Sequence, residues 1–447
     1  MISHTLHCSN VQYFQGKKVK LGDDPNNESV APNILKEANN DILLEIFLRL
    51  RNCRSAILCG VVSPRWHSLI SHCHFIRRFI AQHQELPDRY PLPYTIIFHK
   101  AEKNNSLVPP YFNPICRLLS KESNFLHHHE EAAATCSSSS SYLDFLPSPV
   151  TIRASCNDLL LVSPGPRCSD VLYVCNPTTK EFYQLPKDHK IFDHSNVGHA
   201  LVIGNSEKQS NHHFKVVIFR HPHPYSEHPD TLQTMAVFCS KSGKWKKRNT
   251  LYPTPMVPCF CSALDVVTCN EIFFWLECTQ DVNRVISSDL RERRCGIIDF
   301  PNDFWWFRLQ QNSSVRRVKQ QIGAVDGELR LLQVVLLTCT NKKKVTVNLK
   351  VWKLSSSWVL VHDKRYPKRP NHEKLLVAPP FLHPTNGDVV FVVWGKSIFQ
   401  YSLMEDVCEL IHELQEPVNL KTTRVISFPL VHPIWPTKLP SMMSFSY

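Results

Sequence analysis

The residues best equipped for chemistry in this sequence are its 17 cysteines, its 23 histidines and a few adjacent acids. Nucleophilic catalysis needs a base within hydrogen-bond reach of the nucleophile, and metal binding needs ligands at short, fixed spacings. Neither pattern is present in the sequence. There is no GxSxG elbow, no HExxH pair and no glycine-rich phosphate loop. No CxxC pair occurs, and Cys259 with Cys261 is the closest couple. Histidines gather at His127-His128-His129 and at His221, His223 and His228, but no second ligand pair stands at zinc-like spacing. Glu130-Glu131 and Glu405-Asp406 lie in polar stretches that read as solvated surface. No catalytic residue, cofactor or metal is therefore expected, and the chain reads as a non-enzyme. What remains is recognition chemistry, carried by apolar stripes, loop aromatics and charge.

A length of 447 residues suggests two or three domains, and 43% apolar with 20% charged residues describes a folded, globular chain. The formal net charge is +12. It is spread through small groups such as Lys342-Lys343-Lys344, without a dense basic arm, so nucleic acid is not the expected partner. The first twenty residues carry no apolar core of signal-peptide length, and no run approaches a membrane-spanning length. The expectation is a protein of the cytoplasm, the nucleus or both, off the membrane, with its thiols reduced.

Residues 1–33 lack periodicity and read as a disordered tail. From 34 to 84 the pattern is helical. Ile42, Leu43, Ile46, Phe47 and Leu50 make one stripe, with Asn40 and Asp41 placed for N-capping. Ala56, Ile57, Gly60 and Val61 make a second run. Ser63-Pro64 reads as an N-cap followed by a first-turn proline, opening a helix with Trp66, Leu69 and Ile70 on one face. Six arginines, from Arg49 to Arg78, outnumber the acids here and would suit an acidic partner. A unit of about 50 residues buries little by itself, so its stripes call for a partner or for the rest of the chain.

These residues resemble an F-box. The matching ones are Asp41 to Ile46, Leu48 to Leu50, Val61 to Trp66 and Leu69 to Ser71. The Leu-Pro pair that usually opens the module is Ala38-Asn39 here, which removes an apolar contact and a pre-set turn. The resemblance implies three short helices that dock on a Skp-type adaptor, and through it on a cullin and a RING subunit. It assigns adaptor binding to Ile42, Leu43, Ile46, Leu50, Val61, Pro64 and Trp66.

Beyond residue 84 the segments are short, rich in β-branched and aromatic residues and divided by turns. One unit recurs. Val171 to Cys175 leads through Asn176-Pro177-Thr178-Thr179-Lys180 to Glu181 to Leu185, and later versions turn near positions 242, 292, 356 and 405. A period of about 50 residues is that of propeller blades. The stretch 101–148, with five serines from Ser137 to Ser141, reads as a flexible insertion. Closure of the ring is expected to pair Tyr94 to His99, or a strand near Arg424 to Phe428, with the opposite end of the chain.

This part, residues 85–440, is similar to the F-box-associated domain of plant F-box proteins. The likeness rests on Ser155 to Leu160, on Cys175 to Thr179 and on Leu185-Pro186, with Asp158 where a glycine is usual. It implies an all-β, propeller-like domain of five to seven blades that captures a target protein for ubiquitination. The target contacts expected on loops are Tyr225, Phe304, Trp305 and Trp306, because aromatics dominate interface hot spots. The favoured alternative is that Trp305 and Trp306 simply alternate between blade core and surface. The competing function is a propeller-type binding protein, for nucleic acid or glycan, acting outside any ligase.

Overall fold

The computed structural model describes residues 39–84, 92–102, 112–119, 142–165, 171–187, 197–204, 213–220, 232–251, 266–278, 283–292, 294–304, 315–338, 345–367, 378–414 and 423–440. The chain opens with four helices, where the F-box likeness implied three: α1 (Asn40–Leu48), α2 (Cys53–Val62), α3 (Pro64–Ser71) and α4 (Cys73–Gln84). The N-cap of α1 is Asn39, not Asn40 or Asp41, and Asn40 instead accepts two bonds from the Arg65 guanidinium at 2.8 and 2.9 Å. Asn52 caps α2 through the Ser55 N–H, and Ser63 caps α3 with Pro64 in the first turn. Leu43, Phe47, Ala56, Ile70, Phe75 and Phe79 form the centre of this unit.

Strands follow in four-stranded antiparallel blades. The first holds β3 (Val150–Cys156), β4 (Leu159–Pro164), β5 (Tyr173–Asn176) and β6 (Glu181–Gln184). The second holds β7 (Val197–Gly204), β8 (His213–Arg220), β9 (Leu232–Cys239) and β10 (Lys244–Leu251). The third holds β11 (Val267–Cys269), β12 (Ile272–Cys278), β13 (Asn283–Asp289) and β14 (Cys295–Asp299). The fourth is β15 (Val315–Val325), β16 (Glu328–Thr338), β17 (Val345–Leu354) and β18 (Trp358–Pro367). The fifth is β19 (Phe381–Leu382), β20 (Val389–Trp394), β21 (Ser397–Ser402) and β22 (Val407–Glu413). The recurring unit of the sequence is the outer hairpin of each of these five blades.

Blade packing explains why strands such as β4 are apolar without alternation. Successive side chains point to opposite faces, and both faces are covered. Leu159 and Leu161 enter the core shared with the second blade, whereas Leu160 and Val162 enter the core on the other side. Tryptophans at the start of outer strands stitch neighbours together. Trp245 Nε1 donates to the Pro186 carbonyl at 2.6 Å, and Trp358 Nε1 to the Asp299 carbonyl at 2.8 Å. With few glycines to hand, the tight turns place Asn157, Asn270, Asp326 and Asp406 at positive φ, which Asn and Asp tolerate best among side-chain-bearing residues.

The ring closes through a three-stranded sheet drawn from both ends of the fold. Here β1 (Tyr94–Glu102) lies between β23 (Thr423–Val431) and β2 (Phe112–Leu119). Tyr94 pairs with Val431 and Glu102 with Thr423, so both segments proposed for closure are used, against each other. The span 101–148, expected to be a flexible insertion, is corrected in part. It supplies β2, and its Tyr142 and Leu146 are buried against the closing sheet and first blade. Pro114 obscured the strand in the sequence, and it sits opposite His99, next to a register shift, where the missing N–H is tolerated. The five serines lie outside the described residues.

His99 is buried in this sheet with its ring edge-on to Phe428 at 5.5 Å, and burial lowers its pKa to about 4. The unfolded chain takes up that proton near pH 6.5, whereas the folded chain resists it, so stability is present above 6.5 and lost as pH falls towards 4. The expected loss from this one group is roughly 3 kcal/mol, read from urea unfolding across that range. His99→Gln should flatten that part of the pH profile; an unchanged profile would place the titration elsewhere.

Candidate functional site

The amphipathic pattern of α1 is resolved into two faces. Leu43 and Phe47 point inward, while Ile42 and Ile46, one turn apart, remain 55% and 46% exposed. In α2 the small residues Cys53, Ala56 and Gly60 turn inward, and this leaves Ile57, Leu58, Val61 and Val62 at the surface. Val61 is the most open of these at 79%. The outward side of the unit is therefore rich in branched aliphatics, and exposed apolar patches often mark interaction sites. Arg49, Arg51 and Arg65 of the unit are exposed, and so are the acids Asp41 and Glu45.

Of the adaptor residues named from the sequence, Ile42, Ile46, Val61 and Pro64 are exposed. Leu43 is not; it is fully buried in the centre of the unit. Leu50 is half-buried against the same core, and Trp66 lies edge-on to Phe47 at 5.1 Å, holding α3 onto α1. Ile57, Leu58 and Val62 share the exposed surface without having been singled out. The signal for them was the inward row of Cys53, Ala56 and Gly60, which fixes the opposite side of α2 as the outward one.

On the propeller, Phe304 is buried, its ring tilted against Phe300 at 4.6 Å and Trp352 at 5.2 Å. It belongs to the core between the third and fourth blades and not to the surface. Tyr225, Trp305 and Trp306 lie outside the described residues. A cavity of about 1240 Å³ occupies the centre of the ring, walled by inner strands and faced by Arg51, Phe79 and His83 of the helical unit. Among the described residues no group of three or more His, Cys, Asp or Glu is arranged to hold a metal ion.

The helical unit is mounted on the propeller by the segment 431–440. Trp435 contacts Phe75 and Phe79 with ring centroids 5.9 and 5.5 Å apart. Two residues on, the Thr437 N–H donates to Asp158 Oδ2 at 2.8 Å, and the Thr437 carbonyl accepts from Asn176 Nδ2 at 3.1 Å. Asn176 also donates to Asp158 at 2.7 Å, while its own Oδ1 accepts the Thr178 N–H of its turn. The Asp158 that replaces a usual glycine is thus a buried bracket for this segment. Burial raises its carboxyl pKa, and the bonds from Thr437 and Asn176 oppose that shift.

The sequence profile of the F-box protein At3g26010-like β-propeller matches residues 116–433. This chain belongs to that F-box-associated β-propeller family. F-box protein At5g49610 of Arabidopsis thaliana is 33% identical over 139 residues, which is 30% of this chain and 37% of the relative. The match spans little more than a third of that relative's length. Among solved structures, the α-L-arabinofuranosidase Arb93A of Fusarium graminearum is similar at 10% identity, with a TM-score of 0.30, over 62% of this chain and 79% of that one. The WD40 domain of SCAP from fission yeast is similar at 11% identity, with a TM-score of 0.22, over 62% and 76%. Scores this low say nothing of function.

The buried and exposed sides of the helical unit in this F-box propeller should separate in a stability measurement. Leu43→Ala is expected to cost about 2–5 kcal/mol, as for other fully buried leucines, whereas Val61→Asp should stay within about 0.5 kcal/mol of the parent. Thermal denaturation of the full chain reads both. A large loss for Val61→Asp would mean that the face is covered within the molecule.

Proposed function

We propose that this F-box propeller is a substrate-recognition subunit of a Skp–cullin–F-box ubiquitin ligase. The helical unit docks on the Skp-type adaptor, which brings the cullin and the RING subunit, and the propeller holds the target. The observation that carries this reading is the exposed apolar face of Ile42, Ile46, Ile57, Leu58, Val61 and Val62 on a unit whose core is otherwise complete. Membership in an F-box propeller family supports it.

The chain's part in catalysis is then proximity. Holding a target beside a conjugating enzyme raises its effective concentration, and no reacting group is needed on the receptor. Such a receptor needs rigidity between its two binding ends, and the segment 431–440 supplies it by touching both. The excess of arginines over acids in the helical unit would speed encounter with an acidic adaptor surface more than it tightens the complex.

Coexpression with a Skp-type adaptor and a cullin tests the reading. Wild type should copurify with both. Full burial of one aliphatic contributes roughly 1.5–3 kcal/mol, so Ile46→Ala with Val61→Ala should weaken adaptor binding on the order of a hundredfold. Wild type that captures neither adaptor nor cullin would contradict the reading and favour a binding protein that works outside a ligase.

A further inference from the structure

Among the described residues no named strand pairs with the second edge of any blade's outer strand, and such edges are normally protected by one or two charges, a bulge or brevity. Four of the five fit that description. β6 and β14 are short with one charge each, Glu181 and Asp299, and β22 carries Glu409 and Glu413. β18 has a register shift and sets Asp363 beside Lys364 and Arg365.

The outer strand of the second blade differs. From 239 to 251 the chain carries Lys241, Lys244, Lys246, Lys247 and Arg248, with no acid. All five cations are exposed. None of the four lysines enters an ion pair among the described residues. Four cations within five positions exceed what edge protection requires, and they repel one another in the free protein.

This strand is also held from both sides. Trp245 bonds the first blade through the Pro186 carbonyl and packs on Phe238 at 5.4 Å, and Arg248 donates to the Leu290 carbonyl of the third blade. Its pairing with β9 runs unbroken from Lys244 to Leu251. On the other side the described residues offer it only a single bridge, from Leu251 to Arg294. A rigid, straight edge with a row of uncompensated charge is a prepared binding surface, because little ordering entropy is left to lose on association.

We infer that the second edge of β10, over residues 244–250, is a docking strand for an acidic, extended segment of a partner protein. Alternate residues of a strand stand about 7 Å apart on one face, and an added strand repeats that spacing, so acids at alternate positions fall opposite Lys244 and Lys246. Lys247 serves the other face in the same way. The edge's N–H and C=O groups supply the register, as in other cases of strand addition. A phosphate chain would meet the same charge but offers only acceptors to an edge that needs donors as well. The inference rests on the propeller as the target-binding part, and it names the target's recognised element as a β-prone acidic run.

The test uses the full chain and three fluorescein-labelled probes in anisotropy titrations. They are a peptide of about eight alternating Glu and Val residues, matched to the strand, its counterpart with proline in place of alternate valines, and an oligothymidine of equal charge. The first peptide should bind, more weakly as salt is raised, and the proline peptide about tenfold less well because it cannot complete the edge. Lys244→Glu with Lys246→Glu and Lys247→Glu should weaken the first peptide by about a hundredfold or more, through two reversed cross-strand pairs on the face that carries the peptide's acids and the reversed charge of Lys247 beside them. If that variant melts early, Lys244→Gln with Lys246→Gln and Lys247→Gln replaces it, and a loss of about tenfold is expected. Equal binding of the proline peptide, tighter binding of oligothymidine, or peptide binding indifferent to the lysines would each overturn the inference. Neither variant touches the helical unit, so both should still copurify with the adaptor. Failure here leaves the ligase reading standing, and failure of copurification leaves this one standing.

Discussion

The pairing of Tyr94–Glu102 with Thr423–Val431 holds the two ends of the ring together, and the remainder of the molecule is arranged around it. A propeller left open at that point would expose the flanks of two sheets and the apolar clusters that now lie against them. Closure puts Ile96 and Phe98 into the core of the fifth blade and Ile97 with Phe428 into that of the first. One strand pair therefore completes two interfaces. The hydrogen bonds that join His432 with the Thr95 and Thr178 hydroxyls, at 2.9 and 3.2 Å, fix the exit of β23 beside the first blade.

That exit determines where the helical unit sits. The segment after β23 has only a few residues in which to reach Trp435, and its path is pinned by Asp158 and Asn176 before Leu439 enters the core between the first two blades. The helical unit thereby receives from the propeller the apolar cover that its own short helices cannot supply. What it does not receive is cover for Ile46, Leu58 and Val61, which stay in water on the surface the proposal gives to the adaptor. The same segment thus completes one face of the unit and leaves the other for recognition.

The five outer hairpins were legible because each repeats the same physical solution, two β-rich runs around a turn of Asn, Pro, Ser or Asp. The helical unit was legible because its apolar spacing is regular and Ser63-Pro64 caps α3 as read, while the cap of α1 fell at Asn39 and that of α2, Asn52, was not singled out. The closing strands were legible as candidates, since an unpaired apolar run at each end implies a partner. Inner strands were not. β11 and β19 are three and two residues long, below the length at which alternation has any meaning. β2 was hidden by Pro114, whose cost as a strand residue depends on a bulge that only the paired structure shows. Burial inside the helical unit was misjudged at Leu43 because spacing groups residues on a face without saying which face is inside. Phe304 had the same difficulty in reverse: aromatics on a loop and in a blade core look alike until Trp352 is placed beside them.

The proposed receptor role requires the two ends of the molecule to be mechanically joined, and the join described here is narrow. Trp435 is its centre, between the rings of Phe75 and Phe79 on one side and the Asp158 bracket on the other. Amide hydrogen exchange of Trp435→Ala in the full chain tests this most directly. Exchange along Cys73–Gln84 is expected to speed up by about tenfold or more, while Leu159–Pro164 in the first blade stays as protected as in the parent. Unchanged protection of Cys73–Gln84 would contradict the claim that this segment carries the helical unit.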